Sequence, residues 1–207
     1  MTPLRIGIVD SGVNAWHSHV RGAVDGCALA VSPDGRIVEH DDFRDRSGHG
    51  TAVAGVIREG CADAHLYAVR VFDDAGAAYP SVVARGILRA AAEGCDYINL
   101  SVAIPPGPGS SALEAACAAA IEAGVVLVAC APPGREGWLP ASLPGVHAAV
   151  ADPGLAPGEV REAGGRRFAA CGFPRDLDAI PRGANFSGHS FACARTLVHL
   201  ARRRPPP

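Results

Sequence analysis

An alternation of short apolar runs and longer amphipathic segments over residues 65–131 most constrains how this chain can fold. Three runs, at 65–71, 97–102 and 125–131, have the length and apolar content of buried strands. The two segments between them carry apolar residues at helical spacing, and each ends at a glycine. Neighbouring parallel strands need a crossover, and the crossover helix must bury its apolar stripe. This order therefore predicts an α/β fold in three layers, with a mainly parallel central sheet flanked by helices.

The remaining sequence adds elements on both sides of this unit. Strands are expected at 4–9 and 146–151, a hairpin at 27–31 and 36–39, and helices at 49–58 and 187–203. Ser111 and Glu114 have the spacing of a capping box at the start of the second crossover helix. Residues 152–184 are rich in glycine, proline and charge and show no clear helix or strand pattern. Because no repeat or linker is evident, residues 1–207 are expected to form one domain.

The charge balance narrows the classes of partner. The chain has 19 basic and 21 acidic residues, which give a formal net charge of −2. No overall field therefore favours binding to nucleic acid or to an anionic membrane. We expect neither of them to be a partner.

The cysteines bear on the cellular compartment. Seven cysteines, an odd number without a C-x-x-C pair, fit neither a disulfide framework nor a zinc ribbon, so buried free thiols are expected. The sequence begins without a secretory signal pattern, and no apolar run approaches the roughly 18 residues of a membrane-spanning helix. These features together predict a cytoplasmic protein.

Three junctions between elements carry reactive side chains. Asp10 follows the first strand, His49 opens a helix, and Ser190 lies at the start of the last helix. In open parallel sheets, functional groups collect where strands end and helices begin. A serine, a histidine and an aspartate can serve as a nucleophile, its base and the group that orients that base. The spacing alone does not bring the three together.

Three sequence blocks surround these residues: 6–13 (IGIVDSGV, with His17 downstream), 48–55 (GHGTAVAG) and 188–192 (GHSFA). These blocks resemble the signatures of the subtilisin-like serine proteases, the subtilases. They follow the family's order of Asp, His and Ser. Between them, 66–71 (LYAVRV), 98–101 (INLS) and 139–141 (LPA) also resemble family segments. The similarity thus covers residues 4–201, and three ordered blocks are much more specific than any single tripeptide.

The resemblance implies a subtilisin-like fold and a role for each of the three residues. Ser190 would be the nucleophile, and His49 the general base and then the general acid. Asp10 would fix the tautomer of the imidazole. The implied reaction is acyl transfer without an organic cofactor.

Two polar clusters outside these blocks are weaker candidates for metal binding. His17 and His19 lack a third ligand at a supportive spacing. The acidic residues in the loops lack the ordered alternation of an EF-hand. They are Asp41, Asp42, Asp45, Asp73 and Asp74. We expect exposed loop charge there and no metal site.

The sequence departs from the family pattern at the expected oxyanion site. The family supplies one donor from an asparagine side chain, and Pro133 stands at the aligned position. Proline has neither a side-chain donor nor a backbone N–H. His189 replaces the family's usual threonine before the nucleophile, and its ring could donate to the oxyanion instead. A half-buried histidine that is hydrogen-bonded to backbone is the alternative.

The expected substrate-flanking strand is also altered. Ser101, Val102 and Ala103 are the candidates for pairing with a bound peptide, but Pro105 and Pro106 follow closely. Prolines cannot donate to an added strand, so this pairing is expected to be short. Few residues precede the first of the three sequence blocks or follow the last. Missing layers would leave apolar surface for a second copy of the chain or another protein to cover.

These observations favour a slow serine endopeptidase that processes a particular peptide or protein, such as a precursor with a leader peptide. The alternative is an attenuated or inactive relative that binds a peptide or completes a complex, which the replacement at Pro133 favours. An esterase or transacylase is a third class, because formation of an acyl-enzyme does not decide the acceptor.

Overall fold

The computed structural model describes residues 3–73 and 75–203. Over these ranges the chain forms a nine-stranded sheet with helices packed on both faces. The strands are β1 (Arg5–Asp10), β2 (Val24–Val31), β3 (Ile37–His40), β4 (His65–Arg70), β5 (Tyr97–Leu100), β6 (Val126–Cys130), β7 (His147–Ala151), β8 (Val160–Glu162) and β9 (Arg167–Ala170). The helices are α1 (His49–Gly60), α2 (Pro80–Ala92), α3 (Ser110–Glu122) and α4 (His189–Arg202), and a short 3-10 turn covers Arg182–Ala184.

The strand order across the sheet is β3-β2-β4-β1-β5-β6-β7-β9-β8. The seven strands from β2 to β9 in this order are parallel to their neighbours. Each edge strand, β3 at one side and β8 at the other, is antiparallel. The predicted parallel sheet and the predicted hairpin at its edge are both confirmed.

The two faces of the sheet bury separate hydrophobic clusters. Side chains along β1 alternate, so that Ile6 and Ile8 pack on one side and Val9 on the other. The first side is covered by α1 and α4, and the second by α2 and α3. This gives the three layers expected from the crossover pattern.

The second crossover helix begins differently from the expectation. Gly109 is the N-cap residue, with a left-handed φ of 83°, and no side chain of the described residues caps the helix. Ser110 Oγ instead accepts a hydrogen bond from the Gly107 N–H at 2.8 Å. The capping box predicted for Ser111 and Glu114 is therefore wrong, because the helix starts one residue earlier, at Ser110.

Residues 152–184 contain two strands that the sequence pattern did not indicate. β9 extends the parallel sheet beside β7, and β8 folds back against β9. Phe168, Ala169 and Ala170 of β9 are buried. A four-residue strand among glycines and charges is too short to show a clear periodicity.

Six of the seven cysteines are buried and Cys61 is half-buried, and all are free thiols. This confirms the expected burial. Within the described ranges, none of the helices has the length and apolar character needed to cross a membrane.

Candidate active site

Asp10 and His49 meet at the carboxyl end of the central strands. Asp10 is the last residue of β1 and is fully buried. Its Oδ1 lies 2.8 Å from His49 Nδ1 and also accepts the Ser11 N–H at 2.7 Å. Its Oδ2 is buried and has no hydrogen-bond partner among the described residues. With its Nδ1 hydrogen directed to Asp10, a neutral His49 keeps Nε2 available as a base.

Glycines allow α1 to begin close to Asp10. A Cβ on Gly50 would lie 2.2 Å from the Gly12 carbonyl oxygen and 3.1 Å from Asp10 Oδ1. Only a residue without a side chain permits this approach of helix to strand end. Gly48, which has a φ of +87°, turns the chain into the helix. The local sequence GHG thus places the imidazole of His49 against the carboxylate.

Asp45 links the segment after β1 to the start of α1 through hydrogen bonds, a role that the sequence pattern did not predict. Its side chain is buried, and its two oxygens accept six hydrogen bonds from Ser11, Ser47, Gly48 and Thr51 at 2.7 to 3.2 Å. The expectation of exposed loop charge is therefore wrong for Asp45. The signal was local: an aspartate ahead of a helix start commonly accepts hydrogen bonds from nearby backbone N–H groups.

Aromatic rings flank His49. The ring of Phe186 lies 5.8 Å from the imidazole, centroid to centroid, at an interplanar angle of 84°, and the ring of Phe191 lies 5.5 Å away. Burial lowers the pKa of His49, but the negative charge of Asp10, its hydrogen bond and the charge of Asp45 outweigh burial. The pKa is therefore raised from its ordinary value of 6.5.

Ser190 reaches the same cavity from α4, which packs beside α1 on the same face of the sheet. It is the second residue of α4, and it lines a cavity of about 530 Å³ together with Asp10, His49 and Ser101. No hydrogen bond joins Ser190 to His49 in the part of the chain that the structure describes. The structure brings all three predicted residues to one cavity.

His189 and Pro133 occupy different surroundings. His189 Nδ1 accepts the Ala151 N–H at 2.9 Å, which matches the alternative of a backbone-bonded histidine. Burial, followed by the positive charge of Arg135, lowers its pKa. Pro133 is exposed and lines a separate cavity of about 230 Å³ with Arg135 and Trp138. Pro133 is not among the residues that line the cavity of Ser190.

The segment after β5 begins at the cavity and soon pairs with the protein itself. Ser101 Oγ accepts a hydrogen bond from Asn99 Nδ2 at 2.9 Å, and the Val102 carbonyl accepts one from Cys130 Sγ at 3.2 Å. Ile104 then exchanges two backbone hydrogen bonds of 2.8 Å with Leu139. This leaves Ser101, Val102 and Ala103 as the stretch before the chain's own antiparallel bridge.

The two weaker metal candidates have other partners. His17 Nδ1 accepts the His19 N–H at 3.2 Å. Asp42 pairs with Arg44, and Asp73 accepts backbone N–H groups of its own turn. Asp74 lies outside the described residues. Within residues 3–73 and 75–203, no three His, Cys, Asp or Glu side chains are grouped so as to hold a metal ion.

Comparison with known proteins gives matches across the chain. The sequence model of the subtilase family matches residues 3–152, a range that includes Asp10 and His49 and ends before Ser190. Subtilisin E of Bacillus subtilis (strain 168) is 34% identical over 145 residues, which are 65% of this chain and 35% of subtilisin E. A thermostable alkaline protease of Halalkalibacterium halodurans is 35% identical over 158 residues, 71% of this chain and 41% of that protein. The chain thus spans less than half the length of these relatives.

Solved structures show the same fold. A cold-adapted subtilisin-like serine proteinase superposes with a TM-score of 0.71 and 22% identity. The superposition covers 97% of this chain and 76% of the proteinase chain. A lanthipeptide protease gives a TM-score of 0.70 at 17% identity, covering 99% and 77%. The subtilisin-like α/β fold predicted from the sequence is confirmed. Together with the family match over 3–152, these findings show that the chain belongs to the subtilase family.

Proposed function

We propose that the protein is a serine endopeptidase in which Asp10, His49 and Ser190 act as a catalytic triad, within one peptidase domain spanning residues 1–207. The observation that carries this proposal is the 2.8 Å contact between Asp10 Oδ1 and His49 Nδ1, at a cavity that Ser190 also lines. A buried carboxylate that fixes one imidazole nitrogen prepares the other nitrogen to take a proton.

The proposed steps assign one role to each of the three side chains. His49 Nε2 removes the proton of Ser190 while Oγ attacks the peptide carbonyl carbon and forms a tetrahedral oxyanion. His49 then gives that proton to the leaving amine, and the C–N bond breaks. A water molecule, deprotonated by His49, hydrolyses the acyl-enzyme and restores Ser190. Asp10 stays ionised and stabilises the imidazolium formed in each half-reaction.

Support for the oxyanion is incomplete, which favours slow turnover. In subtilisin, loss of the oxyanion asparagine lowers turnover by about 10²- to 10³-fold. Pro133 offers no hydrogen-bond donor in place of that asparagine. The Ser190 backbone N–H and the N-terminus of α4 remain to stabilise negative charge there. His189 uses Nδ1 as an acceptor, so its neutral ring carries its hydrogen on Nε2 as a further donor.

The short segment that can pair with a substrate supports a narrow substrate range. Pairing limited to Ser101, Val102 and Ala103 suits an enzyme specialised for one peptide or protein. Similarity in fold to a lanthipeptide protease supports a leader-bearing precursor peptide as the kind of substrate. We place this processing in the cytoplasm, with the peptide substrate as the main partner and a second copy or another protein as a further one.

The replacement of the family's oxyanion asparagine by Pro133 also favours a second function, peptide binding without hydrolysis. Such a protein would keep the cavity and the segment from Ser101 to Ala103 and lack turnover. The two functions differ in whether Ser190 is activated as a nucleophile.

Covalent labelling with a serine-directed fluorophosphonate distinguishes these functions. We expect the wild-type protein to be labelled at Ser190, and Ser190→Ala and His49→Ala to lose the label, because attack on phosphorus needs both the hydroxyl and its base. Mass spectrometry of the labelled peptide checks the site. Absence of label on the wild-type protein after long incubation, with peptide present, would exclude the triad proposal.

The rate of labelling is also expected to depend on pH. His49 must be neutral to accept the Ser190 proton, and its pKa lies above the ordinary 6.5. The rate should therefore rise with pH, with a midpoint above 6.5, and level off once His49 is fully neutral. The measurement is the second-order labelling rate constant at intervals from pH 5 to about 9, the range in which histidine titrates. A flat profile across this range would contradict the assignment of His49 as the base.

A further inference from the structure

An arginine, Arg70, lines the cavity beside His49. Arg70 is the last residue of β4, and it pairs in register with Asp10 of β1. In-register partners on parallel strands project from the same face of a sheet. Ala68 and Ile8, two residues earlier on each strand, pack in one cluster and confirm that face. Arg70 is therefore held beside the proposed triad by the sheet.

The guanidinium of Arg70 is half-buried and incompletely satisfied. Its Nε is buried without a hydrogen-bond partner, and no carboxylate of residues 3–73 or 75–203 lies within 4.0 Å of it. Removing a charged group from water without a partner is costly. A partner that enters with a ligand would offset that cost.

The acidic groups nearest this part of the cavity are already engaged. Asp10 accepts hydrogen bonds from His49 and Ser11. Asp73 accepts the N–H groups of Ala75 and Ala77. Asp42, which lines a neighbouring cavity together with Arg70, is bound by Arg44 at 2.7 and 3.0 Å. The second arginine of the cavity, Arg46, lies 4.0 Å from Asp42. Among the cavity's described cations, Arg70 is the one best placed to receive a new anion.

We propose that Arg70 binds an acidic side chain of the substrate, so that the enzyme selects peptides with Asp or Glu near the cleaved bond. The inference rests on the proposed function, because it places the peptide in the cavity that Ser190 lines. The acidic residue lies on the acyl side, since the cavity includes Ser101, where the segment expected to pair with the peptide begins. Charge-assisted hydrogen bonds from a guanidinium to a carboxylate are among the strongest in proteins.

Peptidyl diphenyl phosphonates test this preference directly. The probes are acetylated tripeptides that end in an alanine phosphonate, with Glu, Gln or Lys at either of the two preceding positions and alanine at the other. We expect Glu to react about 10- to 100-fold faster than Gln at one of these positions, the range typical of a hydrogen bond to a charged group. Raising the salt concentration should reduce the ratio.

Variants assign the preference to one side chain. The ratio of the Glu to the Gln rate, taken within each variant, removes differences in general reactivity and folding. This ratio should fall to about one in Arg70→Gln and persist in part in Arg70→Lys. In Arg70→Glu the charge preference should reverse, so that the Lys probe reacts faster than the Glu probe. Arg36→Gln is the matched control, because Arg36 is an exposed arginine in the β2–β3 hairpin. Its ratio should equal that of the wild-type protein.

The outcomes separate this inference from the proposed function. Equal Glu and Gln rates in a wild-type protein that reacts with a plain fluorophosphonate would refute the role of Arg70 and leave the triad intact. If no phosphonate reacts, equilibrium binding of the same sequences as free peptides is measured by isothermal titration calorimetry. Tighter binding of the Glu peptide, lost in Arg70→Gln, would support the site without the chemistry; equal or undetectable binding would refute it.

Discussion

Replacing Asp10 with asparagine is expected to slow acylation of Ser190 by about 10³-fold, since a buried charge pair of this kind contributes about 4 kcal/mol. Both Ser11 N–H and His49 Nδ1 approach the same oxygen, Oδ1. The asparagine oxygen should stay there and keep the imidazole tautomer, with its NH₂ group at the unpartnered Oδ2 position. The loss then comes from the missing negative charge opposite the imidazolium, and the pKa of His49 should fall as well.

Labelling rate constants of Asp10→Asn and wild type across the pH range measure both effects. Asp25→Asn is a matched control: Asp25 Oδ2 lies 2.8 Å from His65 Nε2 in another Asp–His pair, exposed and outside the cavity. It should change neither the rate nor its pH midpoint. An Asp10→Asn protein that is labelled as fast as wild type would mean that Asp10 does not support the base.

The second large effect is expected at Asp45. All contacts of its carboxylate are with donors, so in Asp45→Asn one oxygen becomes an NH₂ group that faces N–H or O–H groups. Each buried donor left unsatisfied costs about 1–3 kcal/mol, and at least two are left, so we expect a loss of roughly 3 kcal/mol in unfolding free energy. For a domain of this size that lowers Tm by roughly 6–12 °C. Labelling should slow too, because the start of α1 loses its anchor to Ser11.

Differential scanning calorimetry and the labelling assay check this prediction. Asp42→Asn, three residues earlier in the same loop, removes a carboxylate paired with the exposed Arg44 and should leave Tm nearly unchanged. If Asp45→Asn matched Asp42→Asn in both measurements, the network around Asp45 would not organise the site.

The sequence predicted the elements that repeat a strong pattern and missed those that depend on neighbours. Apolar strands such as β5, flanked by helices with clear periodicity, were placed within two residues. β9 has only four residues, and it is a strand because β7 offers a parallel edge beside it. The start of α3 moved because a glycine turn and Ser110 competed with the capping box. Tertiary pairing and turn geometry decided these cases.

The residues of the candidate site divide in the same way, into those that a local motif identifies and those that only the folded structure identifies. The motifs around Asp10, His49 and Ser190 were recognisable as local strings, and the structure brings them to one cavity. Asp45 lies in a polar loop with other charges, and only the folded chain shows that Ser11 and Thr51 converge on it. The sequence pattern predicts only that Arg70 belongs to a strand. Its importance depends on the absence of a carboxylate within 4.0 Å among residues 3–73 and 75–203, which no local pattern reveals.

The aromatic rings around His49 have a consequence for spectroscopy. Phe186 and Phe191 hold the imidazole within 6 Å on two sides, at different tilts. Ring currents from both should move the His49 carbon-bound protons away from the resonances of the chain's other seven histidines. A single resolved NMR signal would then report the protonation of this imidazole in the resting protein, without any substrate or inhibitor.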